Sequence, residues 1–502
     1  MSLARVSTRA SLGLDAPCVH VEVHLSCGLP GLAIVGLPEA VVRESKDRVR
    51  SALLNSGFEF PHERITINLA PADLPKEGGR FDLPIALGIL AASAQIPDDR
   101  LAGLSCIGEL ALSGELRPVT GVLSASLAAR EQAESLLVPL ANAGEAALPA
   151  GASVLAAGSL IEVVSHLRGN KPLQPVSQTR LPPAIGSGPD LAEVQGQHQA
   201  RRALEIAAAG GHSLLLFGPP GAGKTLLATR LAGLLPALDA ETQLTVTAIH
   251  SLAGSARGLD ATPPCRAPHH RASSAALVGG GSGIPRPGEI SLAHGGVLFL
   301  DELPEFNRQA LEALREPLES GEVIIARARR QVRYPARFQL VAAMNPCPCG
   351  QLGRFGGSCR CTPEQLARYK ARLSGPLLDR IDLRLAVEPV PLALLRGDHV
   401  ASESSASVRM RVEAARLRQQ ERQGRLNREL DGDTLARQLD SASTAFLQAA
   451  GERMQLSARA YHRVLRMARS IADLAGEERV MTAAVAEALA FRGDFDGQSS
   501  RR

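Results

Sequence analysis

The chain has 502 residues, 45% hydrophobic and 21% charged, which is typical of a globular protein of two or three domains rather than a disordered one. A net charge of only +4 excludes a surface that is basic overall, so any nucleic-acid contact has to be local, and the lack of tryptophan argues against base stacking on aromatic platforms. The sequence shows neither a signal-peptide core nor an apolar run of about 18 residues, which predicts a cytoplasmic protein without a membrane partner.

Residues 1–168 alternate short β-branched runs such as "CVHVEVHLS" and "RITINLA" with Ala/Leu-rich helical stretches, which predicts an α+β domain. Residues 169–190 are rich in Pro, Gly, Ser and Gln without apolar periodicity, which predicts a linker. Residues 191–392 form a second, α/β domain, and residues 393–502 have a helical pattern.

The run "HSLLLFGPPGAGKTLLATRLAGLL" predicts an apolar strand, a glycine-rich turn and an amphipathic helix, the setting of a phosphate-binding loop. Its backbone N–H groups would surround the phosphates of ATP. Lys224 would contact the β- and γ-phosphates, and the Thr225 hydroxyl would ligate Mg²⁺. The full GxxxxGKT spacing argues against a chance glycine turn. The predicted nucleotide-binding residues are Gly218, Pro219, Pro220, Gly221, Ala222, Gly223, Lys224, Thr225 and Leu226.

Two further predicted strands end in polar residues that suit phosphoryl transfer. "GGVLFLDEL" places Asp301 where it would hold Mg²⁺, and Glu302 where it would orient and deprotonate the attacking water. "FQLVAAMNP" ends in Asn345, which is placed to contact the γ-phosphate or that water. Because parallel strands present their carboxyl ends at one edge of a sheet, we expect these residues to lie together. A solvated acidic strand end and an ordinary Asn–Pro turn are the alternatives.

"GPPGAGKT", "GGVLFLDELPEF", "VAAMNPCPCG" and "GPLLDRIDL" together resemble the magnesium-chelatase-like branch of the AAA+ ATPases. "RAPHHRASSAALVGGG" and the amino-terminal domain narrow the resemblance to the ComM/YifB family, and it spans nearly the whole chain. The resemblance implies an AAA+ P-loop NTPase core with a helical lid. It also implies a ring, usually a homohexamer, in which two subunits share each ATP site.

The resemblance assigns two further arginines to catalysis. Arg380 in "LLDRID" is similar to an arginine finger that reaches the γ-phosphate of the neighbouring subunit, and Arg459 matches the sensor-2 arginine of the lid. An intrasubunit pair with Asp379 or Asp382 is the alternative for Arg380. Two other lid arginines, at one and two further helical turns, share the spacing that marks Arg459: Arg463 and Arg466.

Two amino-terminal segments, "LPKEGGRFDLPIALGILAA" and "LSGELRPVTGVLSASLAA", resemble the active-site segments of Lon-type proteases. A Ser–Lys dyad needs a hydroxyl nucleophile and a basic amine, but these positions fall on Arg80 and Leu123 or a near neighbour. The resemblance therefore implies a Lon-protease-like α+β domain that has lost proteolysis and serves assembly or substrate guidance. We expect Arg80, Lys76 and Arg43 to be solvated surface charges.

Two inserts are predicted in the ATPase domain, at 263–290 and 322–336. The first is rich in Gly, Pro and Ser, which predicts an extended loop. The second, "GEVIIARARRQVRYPARF", predicts a β-hairpin. In the chelatase-like branch such inserts point into the channel of the ring, where arginines suit the phosphates of single-stranded or branched DNA. A solvated charge run is the alternative. The predicted DNA contacts are Arg327, Arg329, Arg330 and Arg333.

"CPCGQLGRFGGSCRC" places four cysteines in one loop just after Asn345: Cys347, Cys349, Cys359 and Cys361. Four thiolates suit a tetrahedral Zn²⁺, although CxC pairs are less usual than CxxC pairs. A structural Zn²⁺ and four reduced thiols both stay open at this point.

The resemblance implies an ATP-dependent, ring-forming DNA motor, namely a branch-migration helicase that acts on recombination intermediates in natural transformation. A magnesium-chelatase motor subunit is the first alternative because the ATPase core is shared. An ATP-dependent Lon-like protease is the second, and Arg80 at the nucleophile position argues against it.

Overall fold

The computed structural model describes residues 2–36, 40–74, 76–177, 188–255, 258–281, 285–327, 330–352, 359–390 and 402–492. Residues 178–187 of the predicted linker, the position of Arg329 and the end of the chain lie outside these ranges. Two separate multi-stranded sheets and many helices give the mixed α/β architecture that the sequence predicts. Among the described helices, none has the length and apolarity that crossing a bilayer requires.

The amino-terminal region is built on a seven-stranded mixed sheet. Its strands are β1 (Ser2–Arg9), β2 (Cys18–Ser26), β3 (Gly31–Val35), β4 (Arg64–Ala70), β5 (Leu104–Cys106), β6 (Glu109–Leu110), β7 (Leu116–Arg117), β8 (Ser135–Pro139) and β9 (Ser153–Ala157). Its helices are α1 (Ala40–Asn55), α2 (Asp82–Ala92), α3 (Val122–Glu131), α4 (Ala143–Ala146) and α5 (Leu160–Leu167). The sheet order is β3-β4-β2-β1-β5-β8-β9, and β6 pairs with β7 as a separate hairpin.

The core of this region lies between the sheet and α2. Strand β2 alternates buried and half-buried side chains, which is the pattern of a strand with one face on the core. Helix α2 is buried along almost its whole length because it is apolar on every side. Gly88 lets this helix lie close to the sheet, since a Cβ there would come within 2.6 Å of the Val23 side chain.

The expectation that Arg80 and Lys76 are solvated is wrong. Arg80 is buried, and its guanidinium donates to the carbonyl oxygens of Arg9 and Thr120, which replace water as its partners. Burial lowers the pKa of Arg80 to about 10. Lys76 is also buried and donates to the carbonyl oxygen of Pro71. The side chain of Arg43 lies outside the described part of the chain.

The amino-terminal region extends past residue 168. The N–H of Val176 donates to the Val154 carbonyl at 2.9 Å, so the first residues of the predicted linker lie along β9. Residues 169–177 therefore belong to the packed region rather than to a free linker.

The second region is organised around five parallel strands. Its strands are β10 (Leu214–Phe217), β11 (Cys265–Arg266), β12 (Gly279–Gly280), β13 (Arg286–Pro287), β14 (Val297–Leu300), β15 (Glu322–Arg327), β16 (Arg330–Pro335), β17 (Gln339–Met344) and β18 (Leu383–Ala386). Its helices are α6 (His198–Gly210), α7 (Lys224–Leu234), α8 (Ala240–Leu252), α9 (Ser274–Val278), α10 (Glu289–Leu292), α11 (Arg308–Glu312), α12 (Arg315–Ser320), α13 (Pro363–Lys370) and α14 (Gly375–Leu378). The parallel sheet has the order β11-β14-β17-β10-β18.

The first insert is not the extended loop that its composition predicts. Strand β11 joins the edge of the main sheet, and the short helices α9 and α10 bury Leu277 and Ile290 in the core. Burial of these apolar side chains in the core stabilises the two helices, despite the surrounding Gly, Pro and Ser residues. Between the two helices, β12 and β13 form a small hairpin.

The second insert forms the β15–β16 hairpin, whose register pairs Arg327 with Arg330 at the described end. Val323, Ile325 and Val332 on one face are buried, while Arg333 is exposed. The hairpin thus has one apolar face on the domain and one polar face.

The carboxy-terminal helices are α15 (Ser405–Gln423), α16 (Gly432–Ala436), α17 (Ser441–Arg453), α18 (Ala458–Ala475) and α19 (Thr482–Ala490). They share a continuous apolar core with α6 and α7, which includes Leu204, Leu231, Val412 and Leu465. The helical region is therefore packed on the back of the parallel sheet, and it is not a separate lobe.

A turn at the end of β1 connects the two regions. Leu12 and Leu14 pack against the apolar cluster that contains the β15–β16 hairpin, and Gly13 lies directly over Val332. Tyr334 of the same hairpin donates to the Pro285 carbonyl at 2.6 Å, which ties it to the β12–β13 hairpin. The turn and both hairpins therefore form one packed unit.

Gly13 is required by this contact, and substitution tests it. It has φ +63°, and an added Cβ would lie 2.4 Å from Val332. Gly13→Ala should therefore lower the melting temperature through the left-handed backbone penalty of about 1 kcal/mol plus an overpacking cost of about 1–3 kcal/mol. Gly57→Ala is the matched control, with φ +78° and open space, and should show only the backbone penalty. Equal losses in the two variants, measured by thermal unfolding, would contradict the contact.

Candidate functional site

The phosphate-binding loop follows β10 and ends where α7 begins, at Lys224. The Lys224 ammonium donates to the carbonyl oxygens of Gly218 and Pro219 at 2.8 and 2.9 Å, and to Asn345 Oδ1 at 3.1 Å. Burial lowers the pKa of Lys224, and the nearby Asp301 carboxylate opposes that shift. The loop therefore keeps a positive charge at the amino end of a helix, where phosphate oxygens are bound best.

Glycines give this loop its shape. Gly221 and Gly223 have φ of +81° and +88°, a backbone region that other residues seldom adopt. Gly218 touches the end of β18, since a Cβ there would come within 2.2 Å of the Val387 carbonyl oxygen. Pro219, Pro220, Ala222 and Leu226 complete the predicted loop and its first helical turn, and Leu226 is exposed.

The acidic strand end lies beside the loop. Thr225 Oγ1 donates to Asp301 Oδ2 at 2.7 Å, so the two predicted magnesium ligands are in contact. This hydroxyl–carboxylate pair offers the hard oxygen ligands that Mg²⁺ takes in nucleotide sites, and it therefore fits the cation. With Asn345 on Lys224, the ends of β10, β14 and β17 meet at one edge of the sheet, where the sequence predicts them to meet.

Glu302 has a partner that the sequence analysis missed. His270 Nδ1 lies 2.9 Å from Glu302 Oε2, and Glu302 itself has φ +53°. His270 follows β11, the neighbour of β14 in the sheet. The two residues are distant in sequence, and only the strand order brings them together. The adjacent histidines in "RAPHHR" were the available signal.

The four clustered cysteines converge. Their sulfur atoms all lie within 4.8 Å of one another, with Cys347 and Cys349 at 3.4 Å, Cys349 and Cys359 at 3.6 Å, and Cys359 and Cys347 at 3.7 Å. None is in a disulfide. Cys347 is buried and Cys361 half-buried. Backbone N–H groups of Gln351 and Arg360 donate to the Cys349 sulfur and lower its pKa to about 6.

Arg380 and Arg459 lie in a different place, a cavity of about 540 Å³ that we call the arginine basin. Arg380 is nearly buried and pairs with Glu319 at 2.5 Å, a partner that the sequence analysis did not consider, rather than with Asp379 or Asp382. Arg459 is exposed and, among the described residues, makes no hydrogen bond or ion pair. The basin is also lined by Arg337, Arg428, Arg463 and Arg466.

Arg463 and Arg466 are held by their own subunit. Arg463 pairs with Asp382 at 2.5 Å, and Arg466 donates to the Leu430 carbonyl. Burial on its own would raise the pKa of Asp382, but the neighbouring His212 and Arg463 bring it well below its usual range. Arg459 therefore has the freest guanidinium of the three lid candidates.

The basin lies at the amino ends of the parallel strands, and the phosphate-binding loop lies at their carboxyl ends. Ser213 and Asp382, which line the basin, precede β10 and β18, whereas the loop follows β10. The four residues of β10 separate them by about 13 Å. The structure therefore does not bring Arg380 or Arg459 to the Lys224 of the same chain.

Of the predicted DNA contacts, the structure describes the side chain of Arg333 alone. Arg333 is exposed and lines a broad groove at the base of the hairpin, together with Arg425 and Arg428. The side chains of Arg327 and Arg330 lie outside the described residues, as does Arg329 altogether. The register nevertheless places the backbone of Arg327 and Arg330 at the far end of the hairpin from Tyr334.

Three family models match the chain. "Magnesium chelatase, subunit ChlI" matches residues 190–394, "Subunit ChlI of Mg-chelatase" matches residues 21–142, and "Magnesium chelatase, subunit ChlI C-terminal" matches residues 402–492. Together they cover most of the sheet regions and the carboxy-terminal helices.

Several curated proteins are similar over the full chain. Competence protein ComM of Haemophilus influenzae is 50% identical over 500 residues, covering 98% of each chain. Uncharacterized protein YifB of Escherichia coli is 50% identical over 497 residues, covering 98% of this chain and 97% of that one. The magnesium-chelatase 38 kDa subunit of Cereibacter sphaeroides is 29% identical over 182 aligned positions, and the match covers 31% of this chain and 52% of that one.

The His270–Glu302 contact makes a specific kinetic prediction. His270→Ala should lower kcat for ATP about tenfold, because Glu302 loses the group that orients its carboxylate, while KM should stay unchanged. His270→Gln keeps a hydrogen-bond donor and should recover part of the rate. In a Glu302→Gln background, His270→Ala should have no further effect. Independent losses in that double-mutant cycle, measured by steady-state ATPase assays, would refute the positioning role.

Proposed function

Because the chain belongs to the ComM/YifB family of magnesium-chelatase-like AAA+ proteins, we propose that it is a ring-forming, ATP-dependent DNA motor. The observation that carries the ATPase part is the meeting of Lys224, Thr225, Asp301 and Asn345 at one sheet edge. The name of the Haemophilus relative supports a role in competence. The proposed reaction is branch migration of recombination intermediates in natural transformation.

In the proposed hydrolysis, each residue acts on one part of ATP. Backbone N–H groups of residues 221–224 bind the phosphates, and the Lys224 ammonium exchanges its carbonyl partners for phosphate oxygens. Glu302, oriented by His270, accepts the proton of the attacking water, and Asn345 positions that water or the γ-phosphate. Mg²⁺ bound by Thr225 and Asp301 would neutralise charge on the phosphates.

The arginine basin supports a site shared between copies. Its net positive charge and the free Arg459 suit a triphosphate, but the loop of the same chain is about 13 Å away across the sheet. A neighbour that presents its own phosphate-binding loop to this basin would meet Arg380 and Arg459. Such a head-to-tail contact closes into a ring, and we take a homohexamer as the form that it adopts.

The proposed DNA contacts are the arginines of the β15–β16 hairpin. The backbone register pairs Arg327 with Arg330 at its far end, and Arg333 is exposed on its polar face. Such a surface contacts phosphates without reading the base sequence, which suits a motor that must move along any strand. The hairpin packs on the amino-terminal turn at Gly13, so the amino-terminal region would support it under load.

We also propose that the four clustered cysteines bind Zn²⁺. Tetrahedral coordination with Zn–S bonds of about 2.3 Å places the sulfur atoms about 3.8 Å apart. The observed separations of 3.4, 3.6 and 3.7 Å come near that value. These separations support a structural metal rather than four independent reduced thiols.

A magnesium-chelatase motor subunit is the second candidate. The family models and the 38 kDa subunit share the ATPase core with this chain, but that relative matches only 31% of it. ATPase stimulation by DNA rather than by a tetrapyrrole-binding partner would favour the motor. A Lon-like protease is disfavoured because Arg80 and Leu123 are buried and supply neither a nucleophile nor an amine.

Mixing two inactive variants tests the shared site. Lys224→Ala and Arg380→Ala should each lower ATP turnover about a thousandfold. An equimolar mixture should recover roughly a quarter of wild-type turnover, since that share of head-to-tail interfaces combines an intact loop with an intact arginine. Arg368→Ala, exposed on α13, is the control and should stay active. A mixture that remains inactive would show that Arg380 does not act across an interface.

Removing arginines from the hairpin tests the DNA contact. Arg329→Ala with Arg330→Ala should leave basal ATP turnover intact but abolish DNA stimulation and strand migration. Wild-type binding should weaken by about 0.7–0.9 log units per log unit of salt for each phosphate contact, and the variant should show a shallower slope. Arg453→Ala with Arg479→Ala is the control, because Arg453 is exposed at the end of α17 and Arg479 is exposed between α18 and α19. A salt-independent affinity would contradict phosphate binding.

A further inference from the structure

The cysteine cluster lies against the nucleotide site. Gly350, between its first and second pairs, packs so closely on Pro220 of the phosphate-binding loop that a Cβ would lie 2.7 Å from the Pro220 Cδ. Asn345, two residues before Cys347, accepts from Lys224 at 3.1 Å. The chain that leads into the cluster therefore touches the loop at two points, one polar and one apolar.

The chain that leaves the cluster returns to the same place. Thr362, directly after Cys361, caps helix α13 through a hydrogen bond from Gln365 N. Tyr369, in the last turn of α13, is buried and donates to the Asn345 carbonyl at 3.3 Å. The peptide on both sides of the four sulfurs is thus joined at Asn345, the residue that contacts Lys224.

The local backbone supports this arrangement only in part. Gly350 N donates to the Cys347 carbonyl at 3.0 Å and Leu352 N to the Cys347 sulfur at 3.4 Å, which holds the first pair of cysteines. Cys359 contacts Cys347 and Cys349 through sulfur atoms, and the next residue adds one backbone contact, in which Arg360 N donates to the Cys349 sulfur. A metal that binds all four sulfurs would close this loop, whereas four thiols would hold it by weak contacts.

We propose that Zn²⁺ in this cluster stabilises the geometry of the nucleotide site, so that ATP turnover depends on a metal that does not contact the nucleotide. The inference rests on the proposed ATPase function and adds a second cation to it. The metal fixes Gly350 against Pro220 and Asn345 against Lys224. Without it, the segment from Asn345 to Gly350 loses its register, and a shift of about 1 Å at Asn345 can cost on the order of a hundredfold in rate.

Metal content and nucleotide binding of the full-length protein test the proposal. The purified chain should hold one zinc per copy by mass spectrometry. Cys359→Ser with Cys361→Ser, which leaves every contact with the loop in place, should lose the zinc, lower kcat at least tenfold and weaken binding of a fluorescent ATP analogue. Cys27→Ser with Cys265→Ser, both exposed and outside the cluster, is the matched control and should keep the zinc and the rate.

A glycine variant separates the effect of the cluster on the nucleotide site from the folding of the cluster itself. Gly350→Ala, at φ +73°, should keep its zinc yet weaken nucleotide binding, because its Cβ displaces Pro220. Gly424→Ala, with φ +67° and open space, is the control for the backbone penalty. Wild-type protein without zinc, or a zinc-free variant with unchanged kcat and nucleotide affinity, would overturn the proposal. All of these measurements omit DNA. A protein that does not respond to DNA would therefore contradict the proposed DNA motor function without contradicting the proposed role of zinc.

Discussion

The site depends on one buried ammonium group. Lys224 is held by three oxygens that come from two strand ends, two in the phosphate-binding loop and one on Asn345. A buried charge without such partners would cost several kcal/mol, so β10 and β17 have to be neighbours with their carboxyl ends in register. The parallel sheet provides that register, and the positions of Thr225, Asp301 and Glu302 follow from it.

The sequence predicts the parts of the site whose chemistry is local. The phosphate-binding loop, the acidic strand end and Asn345 each lie in one contiguous motif, and the register of adjacent parallel strands joins them. The His270–Glu302 and Arg380–Glu319 pairs could not be predicted, because each depends on packing between segments far apart in the chain. Arg80 was misjudged for the same reason: its partners are carbonyl groups on β1 and before α3.

Composition was a poor guide where a few apolar residues decide the structure. Leu277 and Ile290 turn the first insert into two short buried helices despite its glycines and prolines. The predicted linker begins later than its composition suggests, because Val176 pairs with β9. The hairpin of the second insert was predictable, since two extended halves flank a polar turn, but its support by Gly13 of the amino-terminal region was not. Both hairpins and that turn pack together and connect the amino-terminal region to the region of the parallel sheet.

The arginine basin and the phosphate-binding loop lie at opposite ends of the strands of one sheet, and this placement affects how much ATP the protein would consume in the cell. Under the proposed shared site, an isolated copy carries two half-reactive surfaces that cannot reach each other, so it hydrolyses little while it diffuses alone. Consumption then rises more steeply than protein concentration, because each productive encounter needs a second copy. Dilution would therefore stop ATP hydrolysis without any dedicated inhibitor, and assembly would start it.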